Sequence, residues 1–314
     1  MVILGIDIGG TQLRAGMVDA AGATLASRTI QTPADLETFA AALGGAVAWL
    51  TETTGMPAGA GVGCKGVVDP DTTTVERLPG ALHYLHGLRL TELLPLPADV
   101  PVFADNDARA ALAGEVVWGA ARNLRDVVML NLGNTVGGAA LIEGKLMRGT
   151  RGMAGMLGHL TVEPEGAICA CGNRGCLQTV FSAQAIESEA WGAVHRGCDS
   201  VLTRLFREQP QLATCRTVFG AAREGDAVAA AIVERAVRRL GAGIAGLLHV
   251  FDPEAVILGG HVADAGRDLF EPLQQAVWER SRALLGREVP LVEAQIADSS
   301  GIAGAAALVM APRP

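Results

Sequence analysis

One pattern in this chain occurs twice. Val2–Ile8 is an apolar run that stops at Gly9-Gly10-Thr11, and Leu13–Val18 continues behind the turn. From residue 127 the arrangement returns: Val127–Leu132, then Gly133-Asn134-Thr135, then Val136–Ile142, a turn at Glu143-Gly144, and Lys145–Met147. Each copy reads as a β-hairpin, because a glycine turn between two short apolar runs lets the backbone reverse. A hairpin repeated so far along the chain predicts two related α/β halves with a cleft between them, a common place for ligands. We expect a small N-terminal α/β domain over 1–115, joined by about 300–314, and a larger one over 116–299.

The segments between the hairpins fit this class. Thr24–Gln31 predicts a third strand. Pro33–Thr54 has helical spacing, with Leu36, Phe39, Leu43, Val47 and Leu50 on one face. Gly59–Gly63 and Pro101–Ala104 read as short parallel strands, and Ala108–Trp118 as a helix. After Phe181 the chain turns largely helical, over Ala183–Ala193, Ala221–Glu224 and Ala227–Leu248. A strand at Ala255–Leu258 and a glycine-rich end, Ser299–Ala307, close the fold.

Bulk properties exclude several partner classes. The 314 residues are 50% hydrophobic, enough for a large core, and the net charge is −8. Phosphate-backbone recognition needs clustered Lys and Arg, so a nucleic-acid partner is not expected. No uninterrupted apolar stretch reaches membrane-spanning length, and MVILGIDIGG reads as a buried strand rather than a secretion signal. The expected location is the cytoplasm.

Several motifs carry chemistry. In Asp7-Ile8-Gly9-Gly10-Thr11, the glycines let backbone N–H groups approach phosphate oxygens, Thr11 adds a hydroxyl, and Asp7 suits Mg²⁺ held through water. Gly133-Asn134-Thr135-Val136-Gly137-Gly138 is the equivalent turn of the other half; each turn alone is equally consistent with an ordinary hairpin. Asp105-Asn106-Asp107 sits between a strand and a helix, where a carboxylate takes a proton from an attacking hydroxyl, or where Asp and Asn simply cap the helix. His159 with Cys169, Cys171 and Cys176 makes a full tetrahedral donor set for zinc, closed to water and therefore structural. Asp252–Gly260 is a turn, a buried strand and a glycine stop that suits the floor of an adenine pocket.

In this order the motifs resemble the ROK family of sugar kinases, within the actin-like, hexokinase-type ATPases, from Ile3 to about Leu308. The resemblance implies two ribonuclease-H-like domains around a cleft, with a zinc-binding loop. It implies an ATP-dependent phosphotransferase acting on a hydroxyl of a hexose or modified hexose, using ATP, Mg²⁺ and structural Zn²⁺, and forming a homodimer. Asp7, Gly9, Gly10, Thr11, Gly133, Thr135, Gly137 and Gly138 would surround the phosphates, with Gly259 and Gly260 near the nucleoside. Asp107 would be the base. Asn106, Gly66 and His159 would meet the sugar, His159 also binding zinc. Repressors of the family carry a helix-turn-helix ahead of the first glycine motif, which here begins at residue 7.

The chain also departs from the family pattern. Met156 and Gln178 stand where carboxylates are usual, Gly80 replaces an asparagine, Lys65 a proline, and Asn134-Thr135 a Thr-Gly pair. Phosphate and base chemistry are kept while sugar recognition is rewritten at Met156 and Gln178. The expected acceptor is therefore an N-acylated amino sugar, a deoxy sugar or a cyclitol ahead of glucose. A non-catalytic sugar-binding homologue is the rival reading.

Overall fold

Near-continuous buried runs in β1, β2 and β4 drive the first sheet. The computed structural model describes residues 1–77, 82–296 and 300–311, and Gly80 lies outside them. Strands β1 (Ile3–Ile8), β2 (Gln12–Val18) and β3 (Thr24–Gln31) form an antiparallel meander. After helix α1 (Leu36–Thr54) come β4 (Ala60–Cys64), the short hairpin β5 (Val67–Val68) and β6 (Val75–Arg77), and β7 (Val102–Asn106). The sheet runs β3-β2-β1-β4-β7, with β1, β4 and β7 parallel. Parallel strands need both faces covered. Helix α1 lays Phe39, Leu43, Val47 and Leu50 on one face, its first turn capped by the Asp35 carboxylate accepting from Thr38 N.

Helix α2 (Asp107–Val117) leaves β7 directly. Strands β8 (Val127–Leu132), β9 (Val136–Ile142) and β10 (Lys145–Leu146) follow. The helices α3 (Leu177–Val180), α4 (Ala183–His195), α5 (Val201–Glu208), α6 (Cys215–Arg223) and α7 (Ala227–Phe251) lead to β11 (Ala255–Gly259). Then come α8 (Arg267–Leu285), β12 (Leu291–Glu293) and α9 (Ser300–Ala307). The second sheet is ordered β10-β9-β8-β11-β12.

The chain divides into two units. One comprises Met1–Val127, Ala139–Gly155 and Ala294–Pro314, and the other Val128–Gly138 and Met156–Glu293. In the first, α9 packs so tightly beneath the sheet that a Cβ at Gly5 or Gly61 would collide with the carbonyl oxygen of Ile302 or Ala305. The end read from sequence as merely glycine-rich is thus a helix whose small residues permit close approach. In the second unit, α7 buries Ile232, Val237, Leu240, Ile244 and Leu248. Asp226 caps it, accepting from Ala229 N at 2.8 Å, and also accepts from Ser200 Oγ and Val201 N at the start of α5. Among the described residues, no helix is long and apolar enough to cross a membrane.

Candidate active site

Strand pairing aligns the motifs of the first unit. Ile8 pairs with Cys64, and Cys64 with Asn106, in parallel register. The residues that follow on the three strands, Gly9, Lys65 and Asp107, therefore emerge side by side at the carboxyl edge of the sheet, where open α/β sheets collect ligands. Gly9 N donates to Gln12 O at 3.0 Å and closes the turn. Gly10 and Thr11 are exposed, and a Cβ at Gly10 would meet nothing within 4 Å, so this backbone stands open to a ligand.

In the Asp105-Asn106-Asp107 segment, the helix cap is Asn106 and not either aspartate. Asn106 caps α2, its Oδ1 accepting from Ala108 N at 3.0 Å and Arg109 N at 3.4 Å, while Nδ2 donates to Gly66 O at 2.8 Å. Asp107 is the first helical residue and stays half-buried. Burial pushes its carboxyl above the ordinary range, against the Ala108 N–H, Lys65, Asn106 and Arg109. Asp7 is pushed up to about 6, first by burial and then by the Asp107 charge, with Arg14 opposing. Two carboxylates so placed share a poorly solvated site, and neither ionises freely without a cation nearby. Hard oxygen donors of this kind fit Mg²⁺. Between them the buried Cys64 thiol is held protonated by burial and by the same two charges, so it is not a nucleophile.

Asp105 does different work. It is fully buried, accepting from Arg109 Nε at 2.5 Å, Arg148 Nε at 2.9 Å and Asn106 N at 2.8 Å. Arg109, equally buried, donates its remaining nitrogens to Ala154 O at 2.7 Å and Gly152 O at 2.8 Å. This pair fastens the first turn of α2 to the 148–155 segment. Sequence reading missed both arginines: Asp105 ends a strand and Arg109 begins the helix after it, so no helical spacing marks the pair.

The second unit brings the four predicted metal ligands together. A ring nitrogen of His159 and the sulfurs of Cys169, Cys171 and Cys176 all lie within 4.8 Å of one another. Cys169 Sγ is 3.5 Å from His159 Nδ1, and Cys171 Sγ is 3.7 Å from Cys176 Sγ. A tetrahedral zinc with bonds of about 2.3 Å to sulfur separates two thiolates by roughly 3.8 Å, so the donor set fits. The hairpin around it is closed by Cys169 N donating to Asn173 O at 2.7 Å and by bridges pairing Thr161 with Cys176 and Ile168 with Arg174. Burial holds His159 below its usual range, which favours the neutral form a ligand needs. Gln178 donates from Nε2 to Cys169 Sγ at 3.1 Å, so its amide supports this cluster. Met156 begins the short turn 157–159 that delivers His159 and is half-buried.

The second glycine turn is also in this unit. Asn134 and Thr135 are exposed, Gly133 N donates to Thr135 O at 3.0 Å, and Ala183 N donates to Gly133 O at 2.9 Å. Gly138 lies within β9, where a Cβ would strike Leu157, so its smallness serves packing of the metal segment. Gly260, at the end of β11, has φ +82°, and a Cβ there would press to 2.5 Å from Leu132 O. His261, missed from sequence, follows it beside Gly133, marked only by its place after a glycine pair.

Comparison with known proteins agrees with these elements. The glucokinase of Thermotoga maritima is 33% identical over 98% of this chain and 96% of its own length. A ROK family glucokinase from Streptomyces griseus, solved with glucose and AMPPNP, superposes with a TM-score of 0.81 at 31% identity, covering 99% of both chains. A ROK family transcriptional regulator, a homologue of the E. coli MLC protein, superposes at 0.82 with 25% identity, covering 98% of this chain and 78% of the regulator. With residues 3–311 matching its pattern, this chain belongs to the ROK family.

Proposed function

We propose that the protein is an ATP-dependent kinase that phosphorylates a hydroxyl of a hexose or modified hexose. The observation that carries this is Asp107, a carboxylate of raised proton affinity at the start of α2, on the same sheet edge as the open Gly9-Gly10 turn with only β4 between them. Asp107 accepts the proton of the acceptor hydroxyl while that oxygen bonds to the γ-phosphorus, and the bond from phosphorus to the β–γ bridging oxygen breaks to release ADP. The Gly9–Thr11 turn offers backbone and hydroxyl donors to the phosphates, as do Gly133, Thr135 and Gly137, with Gly259 and Gly260 toward the nucleoside. Mg²⁺, held from Asp7 through water, would neutralise phosphate charge; Zn²⁺, held by His159, Cys169, Cys171 and Cys176, would fix the loop that carries His159. An actin-like pair of domains, a cytoplasmic homodimer and no nucleic-acid partner complete the reading.

The acceptor pocket departs from a glucose site. Carboxylates at 156 and 178 would accept charge-assisted bonds from sugar hydroxyls, roughly twice as strong as neutral ones. Met156 accepts almost nothing and offers a flexible apolar surface that suits a methyl or deoxy position. Gln178 is neutral, and one of its amide hydrogens is engaged by Cys169. An N-acylated amino sugar, deoxy sugar or cyclitol is therefore a better acceptor than glucose. ADP release measured against glucose, N-acetylglucosamine, N-acetylmannosamine, 2-deoxyglucose and a cyclitol tests both layers. Glucose leading by roughly tenfold in kcat/KM, about 1.4 kcal/mol, overturns the acceptor reading. The likeness to a transcriptional regulator favours a sugar-binding protein without turnover as the second reading, and sugar binding with no ADP release on the whole panel would select it.

A further inference from the structure

Lys65 has no part in the functional reading so far, yet it stands in the middle of the site. It follows Cys64 at the end of β4, and its N–H donates to Ile8 O at 3.2 Å, which fixes its backbone against the residue before the Gly9 turn. On its other side, parallel pairing of Cys64 with Asn106 sets it beside Asp107. The side chain is exposed, and among the described residues its ammonium holds no ion pair. It is also one of two lysines in the chain, Lys145 being the other, where arginine supplies the remaining cations. A position that keeps a lysine in so arginine-dominated a chain, where the family resemblance expects a proline, calls for what an ammonium does differently. It is a compact point charge on a flexible stem, able to follow a group that moves.

Resting on the kinase reading above, we propose that Lys65 is a catalytic residue whose ammonium, between the Gly9 turn and Asp107, contacts the oxygens of the transferring phosphoryl group. As the bond to ADP breaks, negative charge moves along the phosphoryl and the bridging oxygen, and a preplaced cation gains strength there. The charges around it point the same way. Asp7 on β1 and Asp107 on α2 are both acidic and poorly solvated, Cys64 between them is a neutral thiol, and Arg109 is committed to Asp105 and two carbonyls. Arg14 on β2 faces Asp7 and donates to Gln12, whereas Lys65 is the cation set beside Asp107, where its field already favours the charged carboxylate.

Two measurements test it. In the first, Lys65→Met and Lys65→Arg are compared with wild type on the best acceptor of the sugar panel. Lys65→Met should lower kcat by roughly 10²–10³-fold, the effect of removing one transition-state donor. The KM for sugar should change by less than about threefold, and Lys65→Arg should recover at least about tenfold of the loss. A Lys65→Met enzyme within about threefold of wild-type kcat overturns the proposal. The second uses the wild-type protein alone. With only two lysines, acetylation by an N-hydroxysuccinimide ester can be followed at each by mass spectrometry. Mg²⁺ with AMPPNP should slow acetylation of Lys65 and leave Lys145 unchanged; equal rates at Lys65 with and without nucleotide overturn the proposal. The arms separate the two readings. A wild type that transfers phosphate to no sugar defeats the kinase reading and the catalytic role together, whereas an active wild type with an indifferent Lys65 defeats only the latter.

Discussion

Asp7 and Asp107 make the first unit's site electrostatically expensive before any ligand arrives. Their proton affinities in the fold exceed those of the free side chains, near 3.9. A carboxyl raised by folding stabilises the fold fully below its unfolded value, and that contribution disappears as pH rises through the folded value. For Asp7 the window runs from about 4 to about 6. Asp7→Asn should therefore raise the apo protein's Tm at pH 7.5 and by only about half as much at pH 5, the middle of that window, with about 2–4 °C for each kcal/mol relieved. Thermal unfolding at the two pH values checks this, and an equal shift at both would remove Asp7 from the account. Activity runs in the opposite direction, since a base must be ionised. The acid limb of kcat/KM should lie above the ordinary aspartate range, because burial raises Asp107. Asp107→Asn should keep the fold and nucleotide binding while turnover drops by roughly 10²–10⁴-fold; near-normal turnover would reduce Asp107 to part of a helix start.

At the scale of elements, two short pieces hold the chemistry in place. The loop that carries His159 and the three cysteines is nearly without a core of its own, with Cys171 and Ile168 exposed, so a metal on these donors would add to its backbone bonds in fixing its shape. Purified protein should contain one zinc per chain, and Cys171→Ser or chelation should lower Tm and activity together; metal analysis well below one zinc per chain would refute the assignment. The other piece is the 148–155 segment, anchored on Arg109. Replacing Arg109 by Met leaves the buried Asp105 with Arg148 as its one cation beside the Asn106 N–H, and should destabilise the fold by about 3–5 kcal/mol, read as a lower denaturation midpoint. These elements differ in how far sequence revealed them. Both hairpins, α1 and the ligand set were legible because their signals are local: apolar runs broken by glycine turns, helical spacing, and thiols a few residues apart. Helix α8 was not, with Pro272 interrupting its pattern, and α5 offers only two buried positions, Leu202 and Phe206, in eight residues. The Arg109 and Arg148 contacts join positions some forty residues apart through carbonyls and one carboxylate, and no local spacing encodes that.

At the scale of the molecule, the order of the chain and the order of the fold do not coincide. Strand β1 and the helix beneath it, α9, are near opposite ends of the sequence, yet the carbonyls of Ile302 and Ala305 fill the space left by Gly5 and Gly61. During synthesis at about 5–20 residues per second, the first strands wait tens of seconds for the helix that seals them. The second unit, drawn mostly from Met156–Glu293, is complete before that. A ribosome-bound chain stopped before residue 300 should therefore protect the metal loop from protease while β1 and β4 remain cleavable, and release of the last segment should close them. A chain cut before α9 would therefore leave the backbone at Gly5 and Gly61, and the face of the first sheet around it, bare to solvent.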